Sequence, residues 1–257
     1  MLFILGPCVI ESGDHAVRMA RAIQAIAGDF IFKASFDKAN RSSIAGFRGP
    51  GLARGLETLA NVYIETGLRV TTDFHTPDQA GPVAEVCDVI QVPALLSRQT
   101  DMLVEAGRAA LAYGRTVNIK KGQFMAPEDM RHAIDKVRSA GDVPIWVTER
   151  GTSFGYHNLV VDMRSIPIMR RLGVPVIVDA THAVQRPAAG DGCSTGEPEH
   201  IPTIASAAVA AGADGVFMEV HDDPAHALSD GPNSLRLDAL EGVLRRLLRI
   251  EEAACGS

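Results

Sequence analysis

Eight times between residues 3 and 254, a short, largely apolar run gives way to a longer amphipathic segment. The runs are FILGPC (3–8), FIFKAS (30–35), RVTTDF (69–74), VIQVPA (89–94), TVNIKK (116–121), PIWVTER (144–150), PVIVDAT (175–181) and GVFMEV (215–220). The intervening segments include HAVRMARAIQAIA (15–27), GLARGLETLANVYIETG (51–67) and QTDMLVEAGRAALAYG (99–114), with apolar positions at helical spacing. A strand that is apolar on both faces must be covered on both faces, as in a parallel sheet wrapped by helices. Eight consecutive βα units in this length predict an α/β fold of the closed (β/α)8 TIM-barrel type rather than an open doubly wound sheet. No Pro/Gly/Ser linker or composition shift divides the chain, so one catalytic domain over 1–257 is expected. The first run starts almost at Met1, so no preceding segment is expected to cover the barrel bottom.

Composition narrows the function classes. Hydrophobic residues make up 46% and charged residues 22%, as in soluble globular proteins. No apolar run approaches the ~20 residues of a membrane span, and MLFIL lacks the basic flank of a signal peptide, so a cytoplasmic protein is expected. Four scattered cysteines without a CxxC pair argue against a disulfide framework. A net charge of −6 gives no bulk attraction to nucleic acid or to an anionic membrane, so any basic site must be a local concentration.

Active sites of (β/α)8 barrels lie at the C-terminal ends of the strands. Those ends carry Cys8, Lys33 and Ser35, Asp73 and His75, Pro93, Lys120 and Lys121, Glu149 and Arg150, Asp179 and His182, and Glu219 with His221. Two groupings stand out. Lys33, Lys38, Arg41, Arg98, Lys121 and Arg150 fall at strand tips or in the loops beyond. Such a set on one face of an acidic protein points to a substrate with several negative charges, phosphates and a carboxylate. Cys8, His182, Glu219 and Asp230 come from strands 1, 7 and 8 and the loop after strand 8, which adjoin once the barrel closes. A thiolate, an imidazole and two carboxylates suit a divalent Zn, Fe or Mn ion with an open position for water. Taken alone, a strand-end cysteine is more often a small core residue. Trp146 is expected to pack toward the helices, and Cys193 is either a reactive loop thiol or a tolerated exposed one.

The motifs GPCVIES, FKASFDKANRSS, TTDFH, QVPALLSRQTD, NIKKGQF, TERGTSFGY, VDATHAVQ, DGVFMEVH and ALSDGPNSL run in order along essentially the whole chain. Together they resemble the 3-deoxy-D-manno-octulosonate 8-phosphate synthases, transferases that condense phosphoenolpyruvate with arabinose 5-phosphate and water, releasing phosphate, toward the lipopolysaccharide sugar Kdo. The related heptulosonate 7-phosphate synthases use erythrose 4-phosphate and carry Lys-Pro-Arg-Thr where this chain has Lys38-Ala39-Asn40-Arg41. That difference favours the five-carbon acceptor, with the heptulosonate enzyme and a metal-dependent barrel hydrolase of phosphorylated substrates as alternatives.

The resemblance implies a metal-dependent class with Cys8, His182, Glu219 and Asp230 as ligands and no organic cofactor. Cys8 is the discriminating residue, since the metal-independent members carry Asn there. It implies Lys33, Ser35, Lys38, Lys121 and Arg150 as the phosphoenolpyruvate clamp. It implies Asn40, Arg41, Ser42, Arg98 and Gln99 around the sugar phosphate, with Arg98 lent across a subunit interface of a homotetramer. Lys121, Asp73, His75, His182 and Cys8 are the residues it implies near the reacting centres, with Gln185 a weaker neighbour. The metal either orients the aldehyde or activates water. The segment RPAAGDGCSTGEPEH after Gln185 departs from the glycine-rich Pro-Gly segment usual at this point in the family.

Overall fold

A computed structural model describes residues 1–40, 44–186 and 195–255. The eight barrel strands are β1 (Leu2–Gly6), β2 (Ile31–Lys33), β3 (Arg69–Asp73), β4 (Val89–Val92), β5 (Thr116–Lys120), β6 (Ile145–Glu149), β7 (Val176–Asp179) and β8 (Gly215–His221). Each pairs in parallel with the next, and β8 returns to β1 in the register Leu2↔Gly215 through Gly6↔Glu219. The barrel is therefore closed, as the sequence periodicity predicts.

Eight helices wrap it: α1 (Gly13–Ala27), α2 (Leu52–Thr66), α3 (Ala80–Val86), α4 (Thr100–Tyr113), α5 (Met130–Arg138), α6 (Ser165–Arg170), α7 (Ile201–Ala210) and α8 (Leu240–Cys255). Their ends follow local chemistry. Ser12 caps α1 by accepting the backbone N–H of His15, satisfying one of the unpaired donors of the first turn. Gly67 and Gly114 terminate α2 and α4 in the left-handed conformation that a Cβ disfavours. Pro77, Pro127 and Pro198 open short 3-10 turns, so α3, α5 and α7 begin a few residues later than the periodicity alone suggests.

Two apolar layers result from the period-two alternation of the strands. The larger lies between strands and helices and includes Phe32, Ile90, Val117, Val147, Val178 and Met218. The smaller plugs the barrel: Ile4, Ile31, Val89, Ile177 and Phe217, with Leu2 and Trp146 packed on them. Trp146 thus faces the barrel interior, not the helices as expected. It shares inward parity with Thr148 on β6, whereas Val147 faces the helices. Toward the strand C-termini the inward positions turn polar. Thr148 Oγ1 donates to Asn118 Oδ1 at 2.7 Å, and Asn118 Nδ2 to Gln91 Oε1 at 3.3 Å. The plug closes the lower barrel and leaves a polar cup above it. Among the described residues, no helix is long and apolar enough to cross a membrane.

Candidate active site

The cup contains a cavity of about 260 Å³. Lys33, Lys38, Lys120 and Arg150 line it, facing Asp73, His75, His182 and Asp230. Ser35, Asn40, Gln91 and Gln185 also reach it, and Leu95 and Leu96 form an apolar wall after β4. Four cations from β2, its following loop, β5 and the end of β6 converge on a space large enough for a small phosphorylated molecule.

Gly6 sets the approach of β1 to β2. Its φ is +149°, and a Cβ there would sit 2.1 Å from the Lys33 carbonyl oxygen. The following Cys8 is buried. Its Sγ lies 2.9 Å from Ser229 Oγ and donates to Asp230 Oδ2 at 3.3 Å. Burial pushes the thiol strongly up, and the negative charges of Asp230 and Glu219 add to that push. One ligand atom from each of Cys8, Glu219 and Asp230 lies within 4.8 Å of the other two.

Glu219, inward on β8, accepts from Lys33 Nζ at 2.6 Å and stands 3.7 Å from Lys38 Nζ. Burial alone would raise its pKa, but Lys33, His182 and Lys38 outweigh that and hold it well below the carboxylate range. Its second oxygen, Oε2, is buried without a hydrogen-bond partner among the described residues. His182 Nδ1 meets Asp179 Oδ2 at 2.8 Å, and its Nε2 lies 3.7 Å from Glu219 Oε1. Burial lowers the His182 pKa, so the neutral ring donates from Nδ1 and turns the Nε2 lone pair toward Glu219.

These features fit a divalent cation. Glu219 keeps one buried carboxylate oxygen without a partner among the described residues, and the Cys8 thiol proton bridges to Asp230 where an ion would neutralise both. The Asp179–His182 contact has the form of the outer carboxylate that would fix an imidazole ligand. Lys38, whose charge burial disfavours, is held protonated by the carboxylates of Glu219, Asp73 and Asp230 around it.

Lys120 and Lys121 divide at the end of β5. Lys120 turns inward, pairs with Asp179 Oδ2 and lies with its Nζ 3.8 Å from the centre of the Phe217 ring. Lys121 has the opposite parity and meets Glu149 Oε1 at 3.4 Å, with Nζ also near the carbonyls of Gly122 and Met125. It does not line the cavity, contrary to expectation. Lys120 holds the inward position at this strand tip, because alternate residues face opposite sides of a sheet.

Arg150 donates to Gln185 Oε1 at 2.9 Å and reaches the His182 carbonyl at 3.4 Å, tying β6 to the segment after β7. Asp73 Oδ2 lies 3.2 Å from His75 Nε2. The Ser35 hydroxyl is buried without a partner among the described residues, so it is available to a ligand. Arg98 and Gln99 are exposed and outside the cavity. Arg41, Ser42 and Cys193 lie outside the described residues. Parity, applied strand by strand, also singles out Gln91 and Asp179, which the sequence reading left out of the site.

A family model described as the DAHP synthetase I family matches residues 1–254. The chain is 59% identical over 250 residues to a 2-dehydro-3-deoxyphosphooctonate aldolase of Nitratidesulfovibrio vulgaris (strain DP4), covering 95% of this chain and 90% of the relative. It is 56% identical to a protein of the same name from Koribacter versatilis (strain Ellin345), over 98% of this chain and 92% of the relative. A third, from Synechococcus sp., is 52% identical over 96% and 87%.

Proposed function

The chain belongs to the DAHP synthetase I family, and from that premise we propose that it condenses phosphoenolpyruvate with D-arabinose 5-phosphate and water. The products are 3-deoxy-D-manno-octulosonate 8-phosphate, a precursor of the lipopolysaccharide sugar Kdo, and inorganic phosphate. The relatives' names specify an octonate, an eight-carbon acid. Three carbons from phosphoenolpyruvate and five from a pentose phosphate make that skeleton, whereas an erythrose acceptor would make seven. The heptulosonate alternative is therefore not favoured. The observation that carries the reading is a cavity lined by four cations together with Asp230, one member of the Cys8, Glu219 and Asp230 donor group.

In the proposed reaction, C3 of phosphoenolpyruvate bonds to the aldehyde carbon and the aldehyde oxygen takes a proton. The oxygen of water adds to C2, and the C2–O bond breaks to release phosphate. Two polyanionic substrates repel one another, so fixed cations are needed to hold both. Lys33 and Lys38 are assigned to the carboxylate, and Lys120 with Arg150 to the phosphate. Lys120 takes the place expected of Lys121 because it is the lysine that lines the cavity. Ser35 offers its unpaired hydroxyl to the same substrate.

Asp73 orients His75 beside the reacting carbons. Asn40, Arg41, Ser42, Arg98 and Gln99 are assigned to the sugar phosphate, Arg98 acting on a neighbouring subunit of a homotetramer. That assignment accords with its exposure away from its own cavity. Cys8, His182, Glu219 and Asp230 would hold a divalent Zn, Fe or Mn ion, which supplies Lewis acidity to the aldehyde or to water. Holding both substrates in register contributes up to ~7–11 kcal/mol by removing the entropy of encounter. The protein acts as one catalytic domain in the cytoplasm.

A phosphate-release assay tests the reading. Release is expected only with both substrates present, to be stronger with arabinose 5-phosphate than with erythrose 4-phosphate, and to stop with chelator. Release from phosphoenolpyruvate alone would instead indicate a hydrolase. Cys8→Ala is expected to remove bound metal and most activity while the circular dichroism spectrum stays unchanged. Full activity in chelator would defeat the metal assignment.

A further inference from the structure

Four of the five buried residues in the barrel plug are aliphatic; the fifth is Phe217, two residues before Glu219 on β8. Its partner in register on β7 is Asp179. Lys120 Nζ lies over the ring, 3.8 Å from its centre, and Lys33 Nζ lies 5.5 Å from the same point. Both distances fall inside the ~6 Å within which an ammonium group is drawn to the negative face of an aromatic ring.

The two lysines depend on that face unequally. An ammonium group has three N–H donors. Lys33 has an acceptor for each: the carbonyls of Pro7 and Cys8 at 3.4 and 2.8 Å, and Glu219 Oε1 at 2.6 Å. Lys120 has one acceptor among the described residues, Asp179 Oδ2, and shares that oxygen with His182 Nδ1. Yet Lys120 is only 5% exposed.

Burial works against its charge, and the positive charges of Lys33 and Arg150 act in the same direction, with Asp179 opposing them. A buried ammonium group with one shared acceptor and two cations near it needs a further partner. The ring face supplies one. An aliphatic side chain at this position would serve the plug, as four others do, but would turn no negative surface toward Lys120.

We propose that Phe217 is a positioning residue, its ring face holding the Lys120 ammonium group in the cavity and so setting the phosphate end of the clamp. The proposal rests on the assignment of Lys120 to the phosphate in the proposed reaction. With the ring beneath it and Asp179 beside it, Lys120 keeps donors for a phosphate oxygen on the side where it lines the cavity.

Mono-, di- and trifluorinated phenylalanine at position 217 of the full-length chain test the role, because fluorine withdraws charge from the ring face and barely changes its size. Each protein is compared with the same ring built into Lys120→Met, which cancels changes in packing. On that comparison the urea unfolding constant, measured without ligand, is expected to rise stepwise with fluorination, by about 2–30-fold in all. The Kd for phosphoenolpyruvate, read by isothermal titration calorimetry, is expected to rise in the same order. An unfolding series that does not depend on Lys120 would overturn the proposal, and so would a graded unfolding series with an unchanged Kd. Absence of phosphoenolpyruvate binding by the wild-type protein would instead defeat the proposed reaction, and the ligand-free series would still decide whether the ring holds Lys120.

Discussion

Lys120 and Lys121 are consecutive, both almost wholly buried, and each is paired with a carboxylate. They nevertheless belong to different regions. Lys120 stands over the apolar plug, beside Asp179, and lines the cavity to which the proposed reaction assigns a phosphate. Lys121 lies on the helix side of the same strand and pairs with Glu149, which also accepts the backbone N–H groups of Arg150 and Gly151 at 2.8 and 2.6 Å. The inner pair is open to a ligand and can exchange partners; the outer pair is enclosed and holds the turn after β6. The two lysines show that charge and burial do not tell which side chain lines the cavity, whereas the face of the strand does.

The strongest way to break this comparison is to remove each lysine in turn. Lys120→Met is expected to lower kcat/KM by about 10²–10³-fold, the usual effect of deleting a fixed charge beside developing negative charge. Lys121→Met is expected to change it by only a few fold when measured well below its unfolding temperature. A phosphate-release assay on both variants decides the matter, and the reverse ranking would return the clamp to Lys121. In stability the ranking inverts. Lys121→Met leaves Glu149 buried without its cation and is expected to cost about 3 kcal/mol, read as a lower urea midpoint at unchanged slope.

Acid sharpens the contrast. Burial would raise the Asp179 pKa, but His182, Lys120 and Arg150 hold it well below its ordinary value. A carboxylate depressed in the folded state contributes stability that is present above its unfolded pKa of about 3.9 and is lost as pH falls through the folded value. Removing Lys120 raises that folded value. The acid unfolding transition of Lys120→Met is therefore expected to move to higher pH, and circular dichroism against pH reads the shift. The smallest effect is expected at the bottom of the barrel. Trp146→Phe removes part of the inward plug, with an expected cost of about 1 kcal/mol in stability and no change in KM for either substrate. A changed KM would show that the plug and the cup are coupled.

Much of this was readable before any coordinates. FILGPC, VIQVPA and PVIVDAT announce buried parallel strands, and counting eight of them yields the closed barrel. Closure in turn places Cys8 beside Glu219 and near His182, because β1 and β8 must pair. Two placements are not legible in the segments themselves. Trp146 packs into the plug and Lys121 turns outward to Glu149, because a position along the chain does not by itself say which face of the strand a side chain takes.

What the sequence determined by itself was the alternation, the barrel and the inventory of strand-tip chemistry, since short-range periodicity fixes which segments must be covered on both faces. What only the tertiary structure decided was which of two neighbouring side chains looks inward, and which distant donors meet. Those depend on the register of each strand against the next, and register is settled by packing across the whole barrel rather than within any one segment.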